Sequence, residues 1–310
     1  MSRTSFVRLS RAHSLRLDFG MRVHLSLAEK AALTFFVYAS IAAVALSLAV
    51  RELATILILN AVTSAAFLAL RRNRERAPWV DFAADMFPVL LILVAYRESG
   101  LLLTPDPAHH LDYIFVQWDR DLLHNAFIQT LLQAGTPWLQ HYLEFAYLLC
   151  YPLVPLGMAA VYFAGPRTAA RSLAAARTHR ANAMDDFWAT VLMATLFCYA
   201  VYPFFPLTPP RALFSDVPGP QVDPLLRHWN FWLLDHYSVQ ACIFPSGHVA
   251  AATAVALAVR KHAPRLGIPF MFLAVSVACA TVCGRYHYAA DAVAGMVVGV
   301  AAYKFSELLQ

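Results

Sequence analysis

Charge is what this chain has least of. Only 14% of its 310 residues are charged, against 60% that are hydrophobic, and the mean hydropathy is +0.54. Soluble domains carry about a quarter charged residues, so the shortage excludes a water-soluble globular protein and indicates an integral membrane one. Patterned cysteine is missing too. The five cysteines, Cys150, Cys198, Cys242, Cys279 and Cys283, lie mostly in apolar runs with no Cys-x-x-Cys spacing. That excludes a disulfide framework or a zinc site and leaves them as small apolar residues. Acid is nearly absent from residues 1–27, where Asp18 stands alone among Arg3, Arg8, Arg11, Arg16 and Arg22. No cleavable secretory signal is expected there, because the first long apolar run begins only near Ala31. The segment reads as a basic cytoplasmic tail drawn to anionic lipid rather than as an organellar transit peptide.

What is present is a series of apolar runs, near 31–50, 53–70, 80–97, 138–164, 186–206, 247–259, 266–283 and 288–308. A membrane-spanning helix needs about 20 residues, so most suffice and 247–259 is short. A short span is tolerated where it starts in a protein-lined, watery recess. The expectation is an all-α polytopic transmembrane helix bundle of about eight spans. Most of the 24 basic residues fall on one side of it: the N-terminal arginines and Lys30, then Arg71, Arg72, Arg74 and Arg76, then Arg167, Arg171, Arg177 and Arg180, then Arg260, Lys261 and Arg265, with Lys304 near the end. The positive-inside rule then puts both termini in the cytoplasm and segments 207–246 and 284–288 together on the outer face.

Segment 98–137 also falls outside. There Asp112, Trp118, Asp119, Asp121 and His124 alternate with Leu, Ile and Phe, as in an amphipathic helix lying at the interface, for which solvated packing is expected rather than a lid. Acids inside apolar runs are costly, which singles out Glu144, among Phe145, Tyr147 and Leu148, and Asp85. Glu144 pairs either with an arginine of a reaction site or with a neighbouring helix. Tyr202, Trp229, Trp232 and Tyr237 suit an aromatic belt at the outer surface.

Chemistry concentrates between Phe244 and Asp291. Phe-Pro-Ser-Gly-His at 244–248 opens an Ala/Val-rich helix, with Ser246 as N-cap, Gly247 as bare backbone and His248 on the first turn. A helix start presents unpaired N–H groups and the positive end of the macrodipole, which suits an anion. In Gly-Arg-Tyr-His-Tyr-Ala-Ala-Asp at 284–291, His287 and Asp291 share one helical face if a helix begins near Arg285. A lone pair of this spacing is more often a local hydrogen bond than a catalytic dyad. Both motifs flanking adjacent apolar runs on one side, with Arg211 ending the Phe-Pro-Leu-Thr-Pro-Pro-Arg stretch at 205–211, are harder to dismiss. Two histidines, a carboxylate, a helix start and an arginine suit phosphoryl chemistry.

These three segments resemble the motifs of the type 2 phosphatidic acid phosphatase (PAP2) superfamily, particularly its branch of inositol phosphorylceramide synthases, over roughly residues 138–310. The resemblance implies a six-helix catalytic core at 138–310, preceded by the basic tail at 1–27 and by transmembrane helices and an outer interfacial helix at 28–137. It implies His287 as a nucleophile forming a phosphohistidine, Asp291 as its orienting acid, and His248 as the acid for the leaving oxygen and later the base for the acceptor. Arg211, Arg285, Ser246 and Gly247 would hold the phosphate, with Glu144 and Thr281 as supporting positions. It implies no metal and no other cofactor. The partners are a membrane lipid phosphate and, in the transferase branch, a lipid alcohol; no nucleic acid is implied. Two departures stand out. The usual lysine seven residues before the arginine is Phe204 here, and the usual arginine six before the second histidine is Thr281. Arg285 lies one helical turn beyond Thr281 and is expected to supply that guanidinium. The leading expectation is a lipid phosphate or diphosphate phosphatase. The alternatives are transfer of a phosphorylated head group to a lipid hydroxyl, and a non-enzymatic transporter or scaffold with a buried polar network.

Overall fold

A computed structural model describes residues 25–103, 110–123, 137–164, 173–213, 225–239 and 241–309; residues 1–24, His124, Arg167 and Arg171 lie outside the described residues. The chain is an all-α bundle. Its helices are α1 (Leu27–Ala45), α2 (Val50–Arg72), α3 (Pro78–Leu101), α4 (His110–Leu123), α5 (Pro137–Leu148), α6 (Cys150–Phe163) and α7 (Leu173–Val201). After the short α8 (Pro210–Leu213) come α9 (Leu225–Tyr237), α10 (Gly247–His262), α11 (Pro264–Cys283) and α12 (Ala289–Leu308). The only sheet among the described residues is a two-residue antiparallel bridge, β1 (Pro206–Leu207) to β2 (Cys242–Ile243), tying the loop after α7 to the loop before α10.

Six helices, α1, α2, α3, α7, α11 and α12, are long and apolar enough to cross a membrane, and α5 and α6 together are apolar enough to make a seventh span or a re-entrant pair, bent by 63°. The bend has a chemical cause. Pro152 has no N–H to give the Leu148 carbonyl, and its ring crowds that carbonyl, so the helix breaks at Leu149. The remaining expected span is α10, whose 16 residues fall below the usual length. It is nonetheless the axis of the bundle, buried at nearly every position from Val249 to Val259 and packed on α6, α7, α11 and α12. Alanine at most of those positions lets four helices approach one.

α10 and α12 approach each other closely. A Cβ on Gly295 would lie 2.5 Å from the Ser246 carbonyl oxygen, and one on Gly299 would lie 2.7 Å from Thr253 Cβ. Two glycines one turn apart therefore set how deeply α12 seats beside the start of α10.

The cations gather at the far end of the bundle from that start. Arg74 binds Asp81 at 2.9 Å and Asp85 at 3.0 Å, Arg177 approaches Asp81 at 3.4 Å, and Lys261 binds Asp186 at 2.9 Å. Arg180 also pairs with Asp81, and Arg71 with Asp185 and Glu29. Asp85 is thus accounted for by the packing of α2, α3 and α7 and takes no part in the site below. Tyr202, expected in the aromatic belt, is completely buried; Trp229, Trp232 and Tyr237 are exposed as a belt requires.

Gly295→Ala should push α12 off α10 and cost about 1–3 kcal/mol of stability, as overpacking does. Met296→Ala, one residue on and 40% exposed, should change little. Thermal unfolding in detergent measures both, and equal melting temperatures for the two variants would remove the close-approach argument.

Candidate active site

The site lies where the starts of α10 and α12 meet the loop after α7. Ser246 has extended backbone, and its Oγ accepts the Val249 N–H at 3.4 Å, capping α10. Its own N–H donates to the Asp291 carbonyl at 3.1 Å, joining the two helix starts. Ser246 is completely buried and spent on these bonds, so it builds the site; Gly247, beside Tyr199, is the residue that lines the cavity.

The second motif requires a correction. α11 ends at Cys283 and α12 starts only at Ala289, so His287 precedes a helix instead of riding on one. It still meets Asp291, Nδ1 to Oδ2 at 3.4 Å, because Asp291 is the third residue of α12 and folds back toward the chain entering it. The same Oδ2 accepts the Tyr288 N–H at 3.1 Å. The loop itself hangs from Thr281, whose carbonyl accepts the N–H of Tyr286 at 2.9 Å and of His287 at 3.0 Å. Arg285 adopts φ 61°, in the left-handed region, so it does not continue the face of Thr281 as the spacing suggested. Its carbonyl accepts the Arg211 N–H at 3.2 Å, which fastens the first motif to the third.

His248 and His287 face each other across a ring-centroid distance of 5.9 Å at 77°. Both line a cavity of about 800 Å³ that also includes Arg211, Gly247, Tyr286 and, from α3, Tyr96 and Arg97. Among the described residues lining it, the guanidiniums are Arg97 and Arg211; Arg285 is not on that wall. The remainder is mostly hydrocarbon and aromatic, with Ile92, Val154 and Leu234 among its members and Thr195 and Ser238 as hydroxyls. Phe204 is 66% exposed and away from the cavity, so the departure at that position leaves no gap in its wall.

Glu144 resolves as a buried hub. Its carboxylate takes Arg227 at 2.7 Å, the Asn230 side-chain amide at 2.8 Å and the Tyr286 hydroxyl at 2.5 Å, so α5, α9 and the His287 loop converge on one acid. Burial first, and the Glu144 charge second, push the Tyr286 phenol well above its ordinary range, which keeps its proton in place for that bond. Tyr286 also stacks on Tyr147 at 3.7 Å, and Tyr147 and Tyr151 meet the His248 ring edge-on at 5.9 and 5.7 Å. Sequence reasoning missed this aromatic frame and the Arg227–Asn230 pair. The available signals were Tyr286 beside His287 and the i, i+3 spacing of Arg227 and Asn230 on α9.

Arg227→Ala leaves a buried carboxylate without its counter-charge and should cost about 3–5 kcal/mol. Tyr286→Phe keeps the stacking and loses one hydrogen bond, costing about 1–2 kcal/mol. Thermal unfolding gives the order, and a milder Arg227 variant would show that Glu144 is not held by charge.

Comparison with known proteins bears on the same residues. The family model described as PAP2 superfamily matches residues 114–305, a stretch that holds all three motifs and α4 beyond Tyr113. Neither the curated proteins nor the solved structures gave a match. Members of that superfamily are in general phosphatases or phosphotransferases. With that match covering more than half of its length, this chain, an integral membrane helix bundle, belongs to the PAP2 superfamily.

Proposed function

We propose that the protein is a membrane lipid phosphatase that breaks a phosphoester through a phosphohistidine on His287. The observation that carries this reading is the pair of imidazoles 5.9 Å apart in one cavity, with Asp291 on His287 and Arg211 lining the same cavity. Asp291 at Nδ1 fixes the tautomer of His287 and leaves Nε2 as the nucleophile, and it stabilises the cation that forms. His248 gives its proton to the leaving alkoxide and then takes one from the incoming oxygen. Arg211 and the free N–H groups of the first turn of α10 meet the equatorial phosphoryl oxygens. The catalytic end is the outer face and the ion-paired end is cytoplasmic, as the basic residues require.

A second reading is favoured by the cavity. It is largely apolar and reaches α3, α6 and α7, so it suits the chain of a lipid alcohol beside the phosphoryl group. Under it the protein moves a phosphorylated head group to a lipid hydroxyl, as the inositol phosphorylceramide synthases do. Purified protein offered lipid monophosphates and diphosphates, with and without lipid alcohols, separates the two. Free phosphate without acceptor means hydrolysis, and a new lipid phosphoester only with acceptor means transfer. Neither product would leave the transporter or scaffold reading.

His287→Ala should abolish acid-labile phosphoenzyme. His248→Ala should slow turnover by about 10²–10⁴, with phosphoenzyme formation partly restored on a nitrophenyl phosphate, whose leaving group needs no acid. Rescue in the His287 variant instead would reverse the roles. For orientation, a cysteine at Ala212 should react with an impermeant maleimide in intact cells and one at Arg265 should not, on a background without native cysteines. The opposite labelling would move the site to the cytoplasm.

A further inference from the structure

Helix α4 does more than pack at the interface. Asp112, Phe115 and Asp119, spaced i, i+3, i+7, lie on one face. That face touches all three motifs. Asp112 accepts the Thr208 N–H at 2.9 Å and its hydroxyl at 2.7 Å. Phe115 meets the Phe244 ring edge-on at 4.9 Å and the Tyr288 ring at 5.7 Å. Asp119 Oδ1 accepts the Ala289 N–H at 2.8 Å. Tyr288 closes the circuit by donating its hydroxyl to the Thr208 carbonyl at 2.9 Å. Elsewhere on the helix Tyr113 is 72% and Trp118 53% exposed, where a lipid surface would cover them.

We propose that Asp119 is a positioning residue for the His287–Asp291 pair, acting from α4 through the first N–H of α12. This rests on the reading of His287 as the nucleophile. Ala289 stands midway between His287 and Asp291, so the bond from Asp119 fixes the backbone on which both depend. The placement is expensive. Asp119 is 4% exposed; burial above all raises its carboxyl to about 7, the Ala289 N–H pulling it down and the Asp291 charge adding to the rise. The N–H it meets is buried as well, and a buried acid beside a second acid persists only where the structure holds both. The α12 start gives that acid two reasons to stay: the N–H of Ala289, and the positive end of the helix dipole.

The test compares Asp119→Ala, Asp119→Asn and, as a control on the same helix, the exposed Arg120→Ala, all in the full-length protein. With a lipid phosphate substrate, Asp119→Ala should lower kcat by about 10- to 100-fold with KM within about twofold, the penalty of a displaced nucleophile. Asp119→Asn keeps an acceptor oxygen and should stay within about threefold of wild type, as should Arg120→Ala. The second readout needs no turnover. Carbethoxylation of His287 by diethyl pyrocarbonate, followed by peptide mass spectrometry, should change at least threefold in rate in Asp119→Ala and not in Asp119→Asn. Unchanged kcat and unchanged His287 modification in Asp119→Ala overturn the proposal. So does a loss in Asp119→Asn equal to that in Asp119→Ala, since the acceptor would then not matter. A wild-type protein that neither releases nor transfers phosphate refutes the functional reading instead, and the modification rates still decide whether Asp119 positions His287.

Discussion

The arrangement depends on one backbone hydrogen bond, from the Ser246 N–H to the Asp291 carbonyl. It joins the starts of α10 and α12, and each start carries half of the candidate site: Gly247 and His248 on one, His287 and Asp291 at the other. The bond forms only because the helices come together closely enough, which the bare backbone of Gly295 against the Ser246 carbonyl permits. A single methyl there would separate the two imidazoles before it touched either. In a medium without water to accept stray polar groups, such a contact also satisfies two backbone groups at once.

Around that junction the protein distributes its charge by cost. The ion pairs at the far end sit where long side chains reach the surface, and they tie α1, α2, α3 and α7 into one unit. At the end where α10 and α12 start, acids are enclosed. Glu144 is 4% exposed and Asp119 likewise, and each is met by donors from a different element than its own. Tyr147 and Tyr151 set their rings edge-on to His248, and Tyr286 stacks on Tyr147.

The bundle was legible in the sequence because hydropathy runs and the placement of basic residues are strong, local signals. Only α10 escaped the length rule, and its burial shows why: a helix surrounded by protein need not match the hydrocarbon thickness. The His287–Asp291 contact was legible as a spacing, though not as a geometry. Four residues on a helix and a helix-start fold-back give the same proximity, and spacing cannot tell them apart. The helical face assumed for Arg285 failed for the same reason, since the helix expected to carry it stops at Cys283 and the next residue but one turns left-handed. Glu144 was recognisable as an acid out of place, but its partners Arg227 and Asn230 are more than 80 positions away, beyond any local pattern. The role of α4 was the largest omission. Its amphipathic face pointed to an interface without saying that the face packs on all three motif segments.

The shortness of α10 has a consequence for how material moves. Sixteen residues rise about 24 Å, against roughly 30 Å of hydrocarbon. The helix is therefore about 6 Å shorter than the hydrocarbon layer in which it stands, so one of its ends lies below a surface. Under the proposed function that end is the first turn, and a phosphate held there would have left the plane of its neighbours' headgroups while its acyl chains had hardly travelled. Breaking the phosphoester there would separate the fragments along the membrane normal, the charged one toward water and the lipid at the depth it already occupied.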